Sequence, residues 1–351
     1  EDVLMEIAVE PAHRAQFAEL AGMLCEKAGD PALPRRIWRR YRREVEVRGP
    51  LAVELARIAR RLGAPDEARK LLADAVEAMP GNVDAARELV KLRAAGGDTR
   101  GALALLVDVL SADPDATPAV RAAVSAIPAA GLDEPLARAL CEQAAAEPDP
   151  RRYAAHYVAG AVAERLEMDH LAAEQYRAAL DARSGFLGAV DALADIYLRQ
   201  RRFDRVDRLL ADLRDQDTGF FAEYLLGKVA LARGHAQTAV AALRRAHEMN
   251  ANHLPTMLLL AKAERSIGRS AQAVRTLRRA IAAAPQNLEP YRRLFDLHAA
   301  AGEYTEAEGV VRLLRQRKGE TLTADILTAE LHLARGAREQ ARELLADLKR
   351  R

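Results

Sequence analysis

Glycines recur every 34 residues along this chain. Gly29, Gly63, Gly97 and Gly131 form one series, and Gly234, Gly268, Gly302 and Gly336 form another. Pro80, Pro114 and Pro148 keep the interval, as do Ala68 with Ala102 and the run Ala239, Ala273, Ala307 and Ala341. A ladder this regular does not arise from composition; it marks a unit repeated through the chain. The 351 residues leave room for two or three compact domains or for one elongated array, and the ladder selects the array.

Each unit reads as two helices. "LAVELARIARRL" before Gly63 and "DEARKLLADAVEAM" after it both carry apolar residues at helical spacing. Gly63 suits a left-handed helix end, which costs glycine no steric clash. Pro65 and Asp66 open the second helix, with acid at the positive end of its dipole. Pro80 and Gly81 stop it. Ala68 and Ala75, seven apart, share the face where paired helices approach closely, and Leu55 and Leu72 fill the space between. The chain is 50% apolar but only 4% aromatic, so its core is built from alanine, leucine and valine. Disorder is not expected.

This pattern resembles the tetratricopeptide repeat. The family's small residue in the first helix is matched by Gly22, Ala56, Gly160, Ala194, Gly227, Ala261 and Ala329. Its preceding leucine is matched by Leu55, Leu89, Leu193, Leu226, Leu260 and Leu294; its aromatic sites are mostly replaced, although Tyr176, Tyr197 and Tyr291 fit. The resemblance implies an all-α fold, an α-solenoid in which antiparallel helix pairs wind into a right-handed superhelix. Ten units are expected, starting near residues 15, 49, 83, 117, 153, 187, 220, 254, 288 and 322. They group into a phased block 15–148, irregular units over 149–219 and a second phased block 220–351. Leu4, Ile7 and Ala8 make residues 1–14 resemble the tail of a preceding unit. No polar capping helix follows "AREQARELLADLKRR". The expectation is a segment of a longer protein, or ends that pair with something else.

Three departures stand out. Pro128 should end the first helix of the unit at 117 early, and Leu136 and Gln143 fall where that unit's small residues belong. The units at 153 and 187 lack the glycine, with Arg201 replacing it in the latter.

The net charge of +2 supplies no field to draw the chain onto nucleic acid or a membrane. The period of 34 and this charge also argue against an RNA-reading helical solenoid. Seven of the 53 basic residues are lysine, so 46 are arginine. That excess fits either bidentate anion contacts or solvated helix faces in an arginine-rich chain. Cys25 and Cys141 lie far apart and read as free thiols. No membrane-spanning run or signal peptide is visible, which leaves the compartment open between cytoplasm and periplasm.

Nothing in the sequence points to an enzyme or a cofactor. No HExxH, GxSxG, phosphate loop or dinucleotide glycine motif occurs, and the glycines belong to turns. His298 and His332 are equivalent in adjacent units, but packing histidines explain them better than a metal site. "DQDTG" at 215–219 lacks the later ligands of a calcium loop and reads as a turn.

In tetratricopeptide proteins the first helices line a concave groove that binds extended or helical peptides. The resemblance places Arg57, Arg60, Arg61, Arg87, Lys91 and Arg121 there in the first block. Tyr157, Arg165, Asp191, Asp195 and Arg199 follow in the middle. Tyr224, Lys228, Lys262, Arg265, Arg292 and Asp296 come last. The first stretch is basic, which implies an acidic partner segment gripped by arginine forks. The family's lysine-asparagine clamp for chaperone tails is not matched. The function read from the sequence is a non-catalytic scaffold that binds a protein or peptide. The alternative is the repeat arm of a larger protein: one for secretion, exopolysaccharide export or outer-membrane assembly, or a glycosyltransferase.

Overall fold

In a computed structural model, which describes residues 14–44, 49–79, 82–214, 219–316 and 321–350, the chain is an all-α solenoid. Twenty helices form ten consecutive pairs. The first five pairs are α1 (Arg14–Ala28) with α2 (Leu33–Glu44), α3 (Gly49–Arg61) with α4 (Pro65–Ala78), α5 (Val83–Ala95) with α6 (Thr99–Ala112), α7 (Thr117–Ser125) with α8 (Glu134–Ala146), and α9 (Arg152–Arg165) with α10 (Asp169–Ala182). The remaining pairs are α11 (Leu187–Arg199) with α12 (Phe203–Arg214), α13 (Gly219–Ala232) with α14 (Ala236–Met249), α15 (Leu254–Ser266) with α16 (Ser270–Ala283), α17 (Glu289–Ala300) with α18 (Tyr304–Arg315), and α19 (Thr321–Ala334) with α20 (Arg338–Arg350). These starts match the ten units read from the sequence to within a residue. Residues 1–13, Pro80, Gly81 and most of the "DQDTG" turn lie outside the described residues.

The repeated glycine closes each first helix. Gly63, Gly97, Gly234, Gly268, Gly302 and Gly336 all have φ between +74° and +84°. The residue after each donates its amide back to a carbonyl near the helix end, as in Ala64 to Ala59 at 3.0 Å and Arg269 to Glu264 at 2.8 Å. This closure satisfies carbonyls that the helix leaves orphaned. Gly29 is left-handed as well, at +64°. Where the sequence lacks glycine the geometry persists: Glu167 has φ +59° and Arg201 +55°. Met168 and Arg202 then make the same closing bonds at 2.9 and 2.8 Å.

Gly131 is the exception. Pro128 ends α7 at Ser125, and the chain passes through a short 3-10 turn over Ala129–Gly131, where the glycine is not left-handed. The following α8 starts one residue late behind Asp133, whose carboxylate accepts from Leu136 N at 2.8 Å. This shift corrects one sequence reading. The small core positions of that unit are Ala137 and Ala144, both buried, whereas Leu136 is half-buried and Gln143 exposed.

Small residues elsewhere do what their spacing predicts. Ala68, Ala75, Ala102, Ala239, Ala246, Ala273, Ala280, Ala307 and Ala341 are all buried. A Cβ on Gly160 would lie 2.8 Å from the Tyr176 ring, so only glycine lets α9 and α10 come this close. The family's aromatic sites Tyr176, Tyr197 and Tyr291 are buried too.

The chain divides into two compact units, 1–196 and 197–351, with the boundary inside α11. The first is built round the alanine and leucine faces of its hairpins, with Trp38, Tyr157 and Tyr176 as its largest buried side chains. In the second, Tyr291, Leu294, Phe295, Val310, Leu314 and Leu327 belong to one continuous core. Cys25 is buried and Cys141 half-buried, and neither forms a disulfide among the described residues. No described helix is long and apolar enough to cross a membrane.

Candidate partner-binding surface

The first helix of each pair turns a polar stripe outward, and the charges on it are mostly engaged. Arg57 pairs with Glu54 at 2.6 Å, Arg87 with Asp84 at 3.0 Å and Lys91 with Glu88 at 2.9 Å, each one helical turn away. Other arginines reach to a neighbouring first helix. Arg61 meets Glu26 of α1 at 2.7 Å, Arg60 lies 3.9 Å from Glu88 of α5, and Arg292 meets Glu330 of α19 at 2.9 Å. The acids Glu26, Glu54, Asp84, Glu88 and Glu330 alternate with the arginines that the sequence reading emphasised. They leave the row of α3 and α5 largely compensated, with Glu88 shared between Lys91 and Arg60.

Arg121 is more deeply engaged. Its Nη2 donates to both oxygens of Glu164, at 3.0 and 3.1 Å, and its Nη1 to Asp195 at 3.2 Å. Tyr176 donates its hydroxyl to the same Glu164 at 2.9 Å. Burial opposes the charge on Arg121, but the neighbouring Glu164 and Asp195 carboxylates outweigh it and raise its pKa. Burial likewise pushes the Tyr157 and Tyr176 phenols well above their usual range, so both stay neutral. This network joins α7, α9, α10 and α11 and is a structural clamp.

Two groove expectations are corrected by burial. Tyr157 is 1% exposed and Tyr224 3%. Tyr157 packs on Tyr176 and Phe186, and Tyr224 on Phe221 and His253, so neither offers an exposed ring. Register alone places both tyrosines in the groove, and it does not distinguish a core-facing position from its neighbour when both tolerate an aromatic. Lys228 sits 5.7 Å from the Tyr224 ring centroid. Asp191 and Asp195 are half-buried, and Arg199 is exposed; each of these three has an interaction partner.

Lys262, Arg265 and Arg165 are exposed and make no ion pair with any described residue. Lys262 and Arg265 stand together at a cleft between α15 and α17. Its floor is Ala261, Leu277 and Leu297, and its far wall carries Glu289, Arg293 and Asp296. The two acids there already have partners: Arg293 holds Glu289 at 2.7 Å and Arg292 holds Asp296 at 3.1 Å. Arg293 also donates to the carbonyl of Leu258 at 3.1 Å, which ties the wall to α15. The uncompensated charge at this cleft is therefore positive. Leu277, Leu297, Glu289 and Arg293 were not singled out from the sequence, because only the packing of α16 beneath α15 and α17 brings them together.

Two histidines contribute packing. His298 is buried with its Nδ1 2.6 Å from Glu303, and His156 is buried against Gln175 at 2.8 Å. Among the described residues no group of three or more His, Cys, Asp or Glu could hold a metal ion.

The tetratricopeptide-repeat family model matches residues 59–127 and 230–294. No curated protein matches the chain. Among solved structures, the chain is similar to a tetratricopeptide repeat protein from Parabacteroides merdae, with 17% identity over 75% of this chain and 92% of that one and a TM-score of 0.44. It is also similar to PilF of Pseudomonas aeruginosa, with 17% identity over 56% and 90% and a TM-score of 0.42. YrrB, described as a tetratricopeptide-repeat protein with an unusual peptide-binding site, shows 15% identity over 58% and 99% and a TM-score of 0.34.

Proposed function

We propose that this tetratricopeptide-repeat chain is a non-catalytic scaffold that takes a partner segment on its first helices, at the cleft bounded by Lys262 and Arg265. Tetratricopeptide repeats are in general protein-interaction modules, and the observation that favours this cleft is its charge. Most groove cations proposed from the sequence are neutralised by a near acid, whereas these two face solvent above an apolar floor. A carboxylate from an acidic segment would find two unshared donors there, with an apolar side chain seated on Leu277 and Leu297.

The test is affinity capture from a lysate of the source organism, using the full chain. Changing both Lys262 and Arg265 to glutamate should abolish capture of the partner with helicity unchanged. Changing Arg57 and Arg87 to glutamate should leave capture within about threefold, because exposed pairs of this kind contribute little. Undiminished capture by the first double variant would overturn the assignment. Binding through this cleft should also weaken as salt rises.

A further inference from the structure

Within the second compact unit, the large apolar side chains left exposed on described first helices all lie on α19. Leu322, Ile326 and Leu333 are 58%, 39% and 52% exposed. Spacings of four and seven residues put them on one face of the helix. It is the face that carries the partner cleft on α15. Ile326 is the register equivalent of Arg292, and Leu333 that of Ala299 and Arg265, at intervals of 34 residues. Arg292 and Arg265 are exposed although another first helix follows each of them. These positions therefore face solvent within the body of the solenoid. Arginine keeps such a position solvated, whereas isoleucine and leucine leave apolar area in water, at roughly 25 cal/mol per Å².

Charges near this stripe are already engaged. Glu330, between Ile326 and Leu333, meets Arg292 of α17 at 2.9 Å, and Asp325 meets Arg315 at 3.2 Å. The same Arg292 holds Asp296 at 3.1 Å. Arg292 is thus shared by two carboxylates, and the slight negative excess on α17 and α19 keeps a partner's acidic end on α15. The first-helix surface runs from two unshared cations on α15, across the paired Arg292 and Asp296 on α17, to the apolar stripe on α19. We propose, resting on the reading of the Lys262 and Arg265 cleft as the partner site, that the segment bound there crosses α17 in extended form and seats a large apolar side chain on Ile326 and Leu333. Packed helices lie about 8–10 Å apart, so the stripe is about 16–20 Å from α15, a span an extended chain covers in about five or six residues. Asp296 keeps 42% of its side chain in solvent and suits that form, because an extended chain offers backbone N–H groups that a helix uses internally. Charge steers the acidic end, and the apolar end supplies buried area.

Selection on the immobilised full chain tests this, from a random peptide library long enough to span α15 to α19 even as a helix. Recovered peptides should carry aspartate or glutamate and, about five or six residues away, leucine, isoleucine, phenylalanine or methionine. Fluorescence anisotropy then measures their affinity. Lys262→Glu/Arg265→Glu should abolish binding, and Ile326→Gln/Leu333→Gln should weaken it about tenfold with circular dichroism unchanged. Replacing the peptide's apolar residue by serine should weaken binding to the parent chain to the same degree, and change nothing further on Ile326→Gln/Leu333→Gln. Acidic peptides that need Lys262 and Arg265 but bind Ile326→Gln/Leu333→Gln equally well would overturn the extension and leave the cleft standing. So would an apolar residue about eleven to thirteen positions from the acid, the spacing of a helical segment. Peptides indifferent to Lys262→Glu/Arg265→Glu, or no peptide at all, would overturn both.

Discussion

At Glu167 and Arg201 the backbone takes a left-handed conformation that six other units assign to glycine with the same closing bond. A side chain there costs about 1–2 kcal/mol, against which glycine loses about 0.5–1 kcal/mol of chain entropy. Glu167→Gly and Arg201→Gly are therefore each expected to stabilise the protein by about 0.5–1 kcal/mol. Chemical denaturation followed by circular dichroism measures this, and a loss of stability would show that the side chains themselves make compensating contacts. Asp74 offers a pH handle. Burial alone would raise its pKa, but hydrogen bonds from Arg35 and Arg39, at 3.1 and 3.0 Å, hold the carboxyl below its usual 3.8. A depressed carboxylate contributes stability above its unfolded pKa and loses it as pH falls through the lower folded value. Asp74→Asn should cost about 1 kcal/mol at neutral pH. The difference from the parent should shrink as pH falls below 3.8; a gap that persists into strong acid would refute the ionic account.

Helix pairs are held at a spacing that only small residues permit. A Cβ on Gly227 of α13 would run into the Leu243 side chain of α14. Alanine would favour the helix by about 1 kcal/mol, but overpacking a close contact costs about 1–3 kcal/mol. Gly227→Ala is thus expected to lower stability by about 1 kcal/mol, the reverse of what helix propensity predicts. A thermal melt decides the sign. The fourth unit shows the same physics from the other side. Once Pro128 has truncated α7, its partner helix shifts by one residue, and Ala137 and Ala144 replace Leu136 and Gln143 in the core. The Arg121, Glu164, Tyr176 and Asp195 network then holds the neighbouring helices together.

At the scale of the whole chain, a solenoid repeat is stabilised by itself and its neighbours rather than by one central core. Gly227→Ala should speed amide exchange in α13 to α15 and leave α3 to α6 unchanged, as read by hydrogen-exchange mass spectrometry. Uniform loss of protection would instead mean one cooperative unit. The helix count, the unit starts and the closing turn were legible from residues alone, because a left-handed turn and a close helix contact each demand a particular residue at a fixed interval. That demand reaches Glu167 and Arg201 too, where the letter is absent and the conformation is not. What the residues could not reveal is which charges remain available. Arg60, Arg61 and Arg292 sit at groove spacing just as Lys262 does, but each meets an acid on a neighbouring helix, and Tyr157 and Tyr224 turn into the core. Charge pairing and burial depend on side chains from several helices meeting in space. Only the tertiary structure therefore decided that Lys262 and Arg265 stand uncompensated, and that Ile326 and Leu333 stay exposed.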